Sequence, residues 1–228
     1  ASLQRQDVLA HNLANSSTNG FRAEMAAFRA VPVRGDGAST RVFALESTIG
    51  YDDKAGPLQT TGRELDVAME GKSWLAVQGL DGTEAYTRAG ALQVNAEGLL
   101  VTSGGLPVQG DGGPITIPAG AQISIAPDGI INTTVGNARP QQAGRLKLVT
   151  PEVPLTRGTD GLFRAADGDL QADPQARVMS GALEGSNVSP VETMVAMIAA
   201  GRQFEQQMKS LQTAEQREQA AAKLLAPQ

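Results

Sequence analysis

Proline constrains this chain more than any other residue type. Nine prolines lie between Pro32 and Pro190, whereas residues 1–31 and 191–226 contain none. Inside a helix, proline removes a hydrogen bond and clashes with the preceding turn at a cost of about 3 kcal/mol, so long helices are confined to the two ends. Glycine follows the same division: of 26 glycines, only Gly20, Gly185 and Gly201 lie in residues 1–33 and 184–228. The middle is punctuated by Asp-Gly at Asp36, Asp81, Asp111, Asp128, Asp160 and Asp167, with Glu97-Gly98 as a weaker relative. Asp-Gly readily supplies the positive φ of tight turns. Between these turns lie "LDVAM", "WLAVQ", "ALQV", "ITIP", "QISIA", "IINTTV" and "LKLVT". They are short β-prone runs, several alternating apolar with polar, which indicates an antiparallel sandwich, barrel or meander.

The C-terminal end has another period. Met194, Met197, Gly201, Phe204, Met208 and Leu211 step by three or four, and the stripe reaches Ala222 and Leu225 after passing Glu215 and Glu218. That is a heptad seam. Ser189 before Pro190, with Glu192 three residues on, fits a capping box with proline at the first helical position. The 36 residues from Pro190 to Leu225 make a helix of roughly 54 Å at the α-helical rise. At the other end Leu3, Ala10 and Leu13 form a shorter stripe, widened by Val8 and Leu9. The pattern is already helical at Ala1, so the numbering is expected to start inside an element.

Composition removes several function classes. At 228 residues and 41% hydrophobic the chain can bury one large core or two small ones. Aromatic residues make up 4%, the net charge is -5 and Lys and Arg are not clustered, which argues against nucleic acid as a partner. With no cysteine, disulfides, thiolate metal sites and cysteine nucleophiles are excluded together. The longest apolar run, Val195 to Ala200, falls far short of the ~20 residues that a membrane-spanning helix requires. No charged segment followed by an apolar one marks a cleaved secretory signal.

The single histidine, His11, sits in "HNLANSSTNGF" beside residues an active site often uses. A metal site needs several ligands at suitable spacing, and a triad needs a placed serine and acid. Neither is visible, so Asn15 to Gly20 reads as a helix stop and turn, with Phe21 as an apolar anchor for the returning chain. "RGD" at Arg34 to Asp36 reads as a solvated turn, with a secreted β-rich adhesin as its functional alternative. "DGDLQAD", Asp167 to Asp173, lacks the closing glutamate of a calcium loop and reads as a hairpin turn. "GDGGP", Gly110 to Pro114, lacks the context of a phosphate-binding loop and reads as a turn. No catalytic, cofactor or metal site is expected.

The two ends take on meaning together. "HNLANSSTNGF" resembles the "NNLAN-x-x-T-x-GF" motif of the flagellar axial proteins of rod and hook, and "LEGSNVSPVETMVAMIAAGRQFE", Leu183 to Glu205, resembles their C-terminal motif. "GPLQTTGRELDVAMEGKSWLAVQ", "AYTRAGALQVNAEGLLVTSGGLPVQGDGGPITIP" and "DGLFR" are similar to the family's shared β-rich part. Family-motif residues are thus Asn12, Leu13, Ala14, Asn15, Thr18, Gly20, Phe21, Ser186, Asn187 and Val188. "GRQFEQQMKSLQTAEQ", from Gly201, is closer to the proximal-rod subgroup than to the distal-rod one, with a distal rod or hook subunit as the alternative.

The resemblance implies a mixed α and β fold: long N- and C-terminal helices packed together as a coiled-coil-like tube-wall domain, with a mainly antiparallel β domain inserted between them. The expected segments are an N-terminal helix and turn at 1–34, an extended or β connection at 35–70, a β-rich outer domain at 71–183 and a C-terminal helix at 184–228. It implies a structural subunit of the basal-body proximal rod, in the periplasm, exported without a cleaved signal through the flagellar type III apparatus. Its partners would be itself and the other proximal and distal rod proteins, with torque transmission as the task. The apolar stripes make Leu3, Ala10, Leu13, Phe21, Met194, Met197, Ile198, Phe204, Met208 and Leu211 the candidate subunit-interface residues.

Overall fold

A computed structural model describes residues 2–32 and 42–225; the side chains at 2, 26–32, 42–49, 211 and 218–225 lie outside that description, as do Arg34, Gly35 and Asp36. The described residues form eighteen strands and two helices, α1 (Ser2–Ala14) and α2 (Pro190–Leu225). Two compact units result. One comprises Ala1–Ser16, Glu24–Ile49 and Val188–Gln228, the other Ser17–Ala23 and Gly50–Asn187.

The expectation of two long terminal helices packed as a coiled-coil tube wall is corrected by this architecture. The chain is mostly β, and only α2, at 36 residues, is long; α1 has 13. The physical reason lies at the end of α1, where side chains compete for the backbone. Asn15 Nδ2 donates to the His11 carbonyl at 2.9 Å and Ser16 Oγ to the Leu13 carbonyl at 2.8 Å. The Ser16 N–H also donates to the Leu13 carbonyl, at 3.2 Å, so the acceptor that Ser17 would use in a further helical turn is already taken. The chain then enters the strand Glu24–Pro32, which pairs with Val42–Tyr51.

In the first unit α1 lies alongside α2. The start of α2 follows the expected cap: the Glu192 N–H donates to Ser189 Oγ at 3.4 Å, and Thr193 Oγ1 donates to the Ser189 carbonyl at 2.8 Å. Ser189→Ala is expected to cost about 0.5–1 kcal/mol, because one orphan amide loses its acceptor. Faster hydrogen exchange confined to residues 190–193 would show it, and unchanged exchange there would refute the cap.

The second unit is built on a five-stranded antiparallel sheet in the order Leu148–Val149, Trp74–Gln78, Glu84–Thr87, Phe163–Arg164, Thr156–Arg157. The period-2 alternation of "WLAVQ" sends its side chains to two cores. Leu75 and Val77 join Leu92, Leu100, Val108, Ile131 and Leu146 in the larger one. Trp74 and Ala76 join Tyr86, Val149, Leu155 and Phe163 in the smaller. There the rings of Trp74 and Phe163 are 4.6 Å apart and Tyr51 stands edge-on to Phe163 at 4.8 Å. Both faces of the sheet are therefore buried, which is why this strand reads as almost continuously apolar.

Smaller sheets surround it. Ala121–Ile125, Ile130–Val135 and Gln141–Arg145 form a three-stranded meander, with a bulge between Ile131 and Asn132. Leu58–Thr60 pairs with Ala182–Glu184 and Val67–Met69 with Val178–Ser180, closing the unit with residues more than a hundred positions apart. The Asp-Gly turns act as read: Asp81, Asp128 and Asp160 each accept, through Oδ1, the amide two residues on. Gly110 and Gly113 face each other across a tight hairpin, as expected for "GDGGP". "DGDLQAD" is corrected from a hairpin to a turn and loop, since Phe163–Arg164 pairs with Glu84–Thr87 and Thr156–Arg157, and residues 165–177 form no strand.

Candidate functional site

The N-terminal and C-terminal motifs meet within the second unit, around a buried carboxylate. Phe21 and Arg22 come directly after the turn at Gly20; Glu184 ends the strand Ala182–Glu184, with Ser186 and Asn187 just beyond it. The Gly20 N–H donates to the Glu184 carbonyl at 2.7 Å, and the Asn187 N–H to the Phe21 carbonyl at 3.2 Å. Asn187 then uses its whole amide. Oδ1 accepts the Ala23 N–H at 2.7 Å, while Nδ2 donates to the carbonyls of Asp52 and Lys54, both at 2.9 Å. One side chain thus ties three segments together.

Beneath it Glu184, Arg22 and Arg88 form an ion cluster whose side chains are 1%, 3% and 2% exposed. Arg22 Nη1 lies 2.7 Å from Glu184 Oε1, and Arg88 Nε donates to Oε2 at 2.8 Å. The Gly56 N–H donates to Oε1 at 3.0 Å. Arg88 also donates to the carbonyls of Met69 at 3.0 Å and Gly71 at 3.1 Å, and to that of Ser73. Arg22 donates to the Lys54 carbonyl. Burial pulls the Arg22 guanidinium below the ordinary arginine range; Glu184 opposes the shift and Arg88 adds to it. An arginine starts so far above neutrality that it stays charged. Arg157 closes the cluster, its guanidinium 4.4 Å from the centre of the Phe21 ring.

This arrangement fastens chain segments. Its carboxylate is fully engaged by arginines and an amide, so it has no lone pair free to take up a proton from a substrate. No group of three or more His, Cys, Asp or Glu suited to a metal occurs among the described residues. His11, in the other unit, has a partner that the sequence does not reveal: its Nδ1 is 3.2 Å from Glu24 Oε2. Asn12 braces the same place, with Oδ1 accepting the Glu24 N–H at 2.8 Å and Nδ2 donating to the Glu24 carbonyl at 3.0 Å.

Gly20 is required at the junction on two counts. Its φ is +71°, and a Cβ there would stand 2.2 Å from the Arg88 carbonyl carbon, which is backbone and cannot swing away. Gly20→Ala is expected to destabilise the second unit by about 2–4 kcal/mol, combining left-handed strain with overpacking. At Gly62, φ is +73° but a Cβ would meet nothing within 4 Å, so Gly62→Ala isolates the strain at about 1–2 kcal/mol. Equal losses of thermal stability in the two variants would refute the close approach.

Of the remaining motif residues, Asn12, Ser186 and Val188 are buried, Leu13 is half-buried, Ala14 and Thr18 are exposed, and the Thr18 carbonyl accepts the Phe21 N–H at 3.2 Å. The interface candidates divide differently. Phe21 is buried and serves the junction. On α2, Met197, Gly201 and Phe204 are half-buried on the side of buried Thr193 and Ala200, where Gln6 of α1 approaches Gly201. Met194, Ile198 and Met208 are exposed, together with Val191 and Val195. Leu3 and Ala10 of α1 are exposed, and the Leu211 side chain lies outside the description. Sequence reasoning missed Arg22, Arg88 and Glu184. Arg22 comes directly after the "NGF" of the N-terminal motif, while Arg88 and Glu184 lie inside stretches that carry the family resemblance, where nothing singles them out.

Comparison with known proteins places these motifs. The model described as "Flagellar hook protein FlgE/F/G D1 domain" matches residues 68–133, and that described as "Flagellar basal body rod FlgEFG protein C-terminal" matches residues 179–224. The chain is 49% identical to the flagellar basal-body rod protein FlgF of Salmonella typhimurium strain LT2, over 98% of this chain and 93% of that protein. With FlgF of Escherichia coli strain K12 the identity is 48% over the same shares. With the rod protein FlgG of Agrobacterium fabrum it is 32% over 92% of this chain and 89% of that protein. The terminal motifs that meet at Glu184 are therefore those of a known lineage, and the chain belongs to the FlgF family of flagellar basal-body rod proteins.

Proposed function

We propose that the chain is a structural subunit of the flagellar basal-body rod, in its proximal part, and works by binding copies of itself and other rod subunits. The observation that carries this reading is the 49% identity with a FlgF across 98% of the chain. The geometry agrees with it: the buried polar cluster holds segments together, and α2 offers an exposed apolar face formed by Val191, Met194, Val195 and Ile198. Such a face is the mark of a binding surface. A distal-rod role has weaker support, at 32% identity with a FlgG.

The finer parts of the proposal are passage through the flagellar type III export apparatus, residence in the periplasm and transmission of torque. Absence of cysteine suits a chain threaded through an exporter, since no disulfide can block it. The test is genetic and biochemical. A strain lacking its own FlgF should regain motility with this chain, and the chain should co-purify with its basal bodies. A chain that restores a strain lacking FlgG, but not one lacking FlgF, would overturn the proximal assignment.

A further inference from the structure

Two surfaces of the second unit differ from each other and carry opposite charge beside apolar groups. The first is a groove of about 320 Å³ between Thr150–Pro154 and Ala165–Gln171. Pro151, Val153, Pro154 and Leu170 give it apolar walls, and exposed Glu152 and Asp167 give it carboxylates. No lysine or arginine lines it among the described residues. Its shape is held from below: the Leu170 N–H donates to Tyr86 Oη at 2.6 Å and Thr150 Oγ1 to Asp173 Oδ2 at 2.6 Å. Leu170 also packs on the aromatic core, so the groove is set before any partner arrives. Val153, at 65% exposed, is a large apolar side chain left in water.

The second surface is the projecting end of the hairpin formed by Ile130–Val135 and Gln141–Arg145. Pairing within the hairpin ends at Thr133↔Gln141, pairing with the neighbouring strand Ala121–Ile125 ends at Ala121↔Val135, and every residue from 135 to 140 is exposed. The Ala138 N–H donates to the Val135 carbonyl at 3.1 Å, which fixes the turn. It presents Val135, Ala138 and Pro140 as apolar contacts and Arg139 as its one charge. Apolar groups beside a single cation are the complement of apolar walls beside two carboxylates.

We infer that the Val135–Pro140 hairpin end of one copy seats in the Thr150–Gln171 groove of the next, with Arg139 against Glu152 and Asp167. This rests on the rod-subunit reading and gives it a specific contact. Because the two patches differ, the contact is head-to-tail, and a head-to-tail contact that does not close generates an open helical stack. A patch that paired with itself would stop at a dimer.

The absence of cysteine permits a direct test. A full-length chain carrying Val135→Cys and Val153→Cys together is expressed in place of the parent, and basal bodies are isolated under mild oxidation. Both positions are exposed, so folding is preserved. The expected result is a ladder of crosslinked multimers, with each single-cysteine chain remaining monomeric. Adding Arg139→Glu should lower the crosslinked fraction about tenfold, and further adding Glu152→Arg and Asp167→Arg should restore it. Basal bodies that contain the double-cysteine chain without a ladder overturn this contact and leave the rod reading intact. Crosslinked dimers from either single-cysteine chain, at the level of the double-cysteine chain, overturn it as well. If the parent chain itself never enters basal bodies, the rod reading fails and the contact fails with it.

Discussion

Glu184→Ala is expected to remove about 3–5 kcal/mol from the stability of the second unit, the usual consequence of breaking a buried ion pair from one side. The side chain is 1% exposed and shared by two arginines that are 3% and 2% exposed. Alanine leaves both guanidinium groups without their counter-charge and the Gly56 amide without its acceptor. A domain of this kind is stable by only about 5–15 kcal/mol, so the loss is a large share of the total. Urea unfolding should show a lower midpoint with an unchanged slope. Glu184→Gln keeps one acceptor oxygen but loses the charge, so it should fall between the parent and alanine. A Glu184→Ala midpoint equal to that of the parent would show that the cluster is not a clasp.

The same residue shows where sequence reading reaches its limit. The β middle is legible because its signals are local. Asp-Gly sets a turn by its own side chain and φ, and "WLAVQ" announces a strand by composition over five positions. The helix cap at Ser189 is equally local. Glu184 and Arg88 are 96 positions apart, and nothing in "LEGSN" or "YTRAG" says that their charges meet in a dry interior. Sequence patterns treat a charge as solvent-facing by default, and a buried charge is stable only because a distant partner exists. Resemblance flags Asn187 and Gly20 as motif residues, but their role as a three-way tether and a site of close backbone approach comes only from the structure.

The N-terminal helix misleads for the opposite reason. Leu3, Ala10 and Leu13 form only a short stripe, and the expectation of paired long helices comes from the proline-free ends and from the family resemblance. The polar residues after Ala14 carry the correct information, because Asn15 and Ser16 bond back to the helix and end it. The C-terminal seam matches a helix of 36 residues, Pro190–Leu225, and its residues differ in exposure. Met197 and Phe204 are half-covered inside the unit, whereas Met194 and Ile198 point to solvent. The stripe therefore divides into half-covered Met197, Gly201 and Phe204 and exposed Met194 and Met208, with Ile198 exposed beside it.

That division makes Ile198→Asp the sharper probe of assembly. Ile198 is 59% exposed, flanked by Val195 at 61% and Met194 at 49%. A substitution at so exposed a position should move the unfolding midpoint very little, within about 0.5 kcal/mol. In a subunit contact the same change forfeits roughly 1.5–3 kcal/mol of apolar burial and adds the desolvation of a carboxylate. A loss of about 3 kcal/mol weakens one contact more than a hundredfold, and a stacked subunit makes that contact with each neighbour on this face. Rod incorporation and motility should therefore be abolished while the purified monomer melts as the parent does. Phe204→Asp, half-buried within the unit, should lower both incorporation and the melting temperature, so it cannot separate assembly from folding. An Ile198→Asp chain that enters basal bodies at the parental level would remove this face of α2 from the assembly and leave the half-covered side, with Met197 and Phe204, as the place to look.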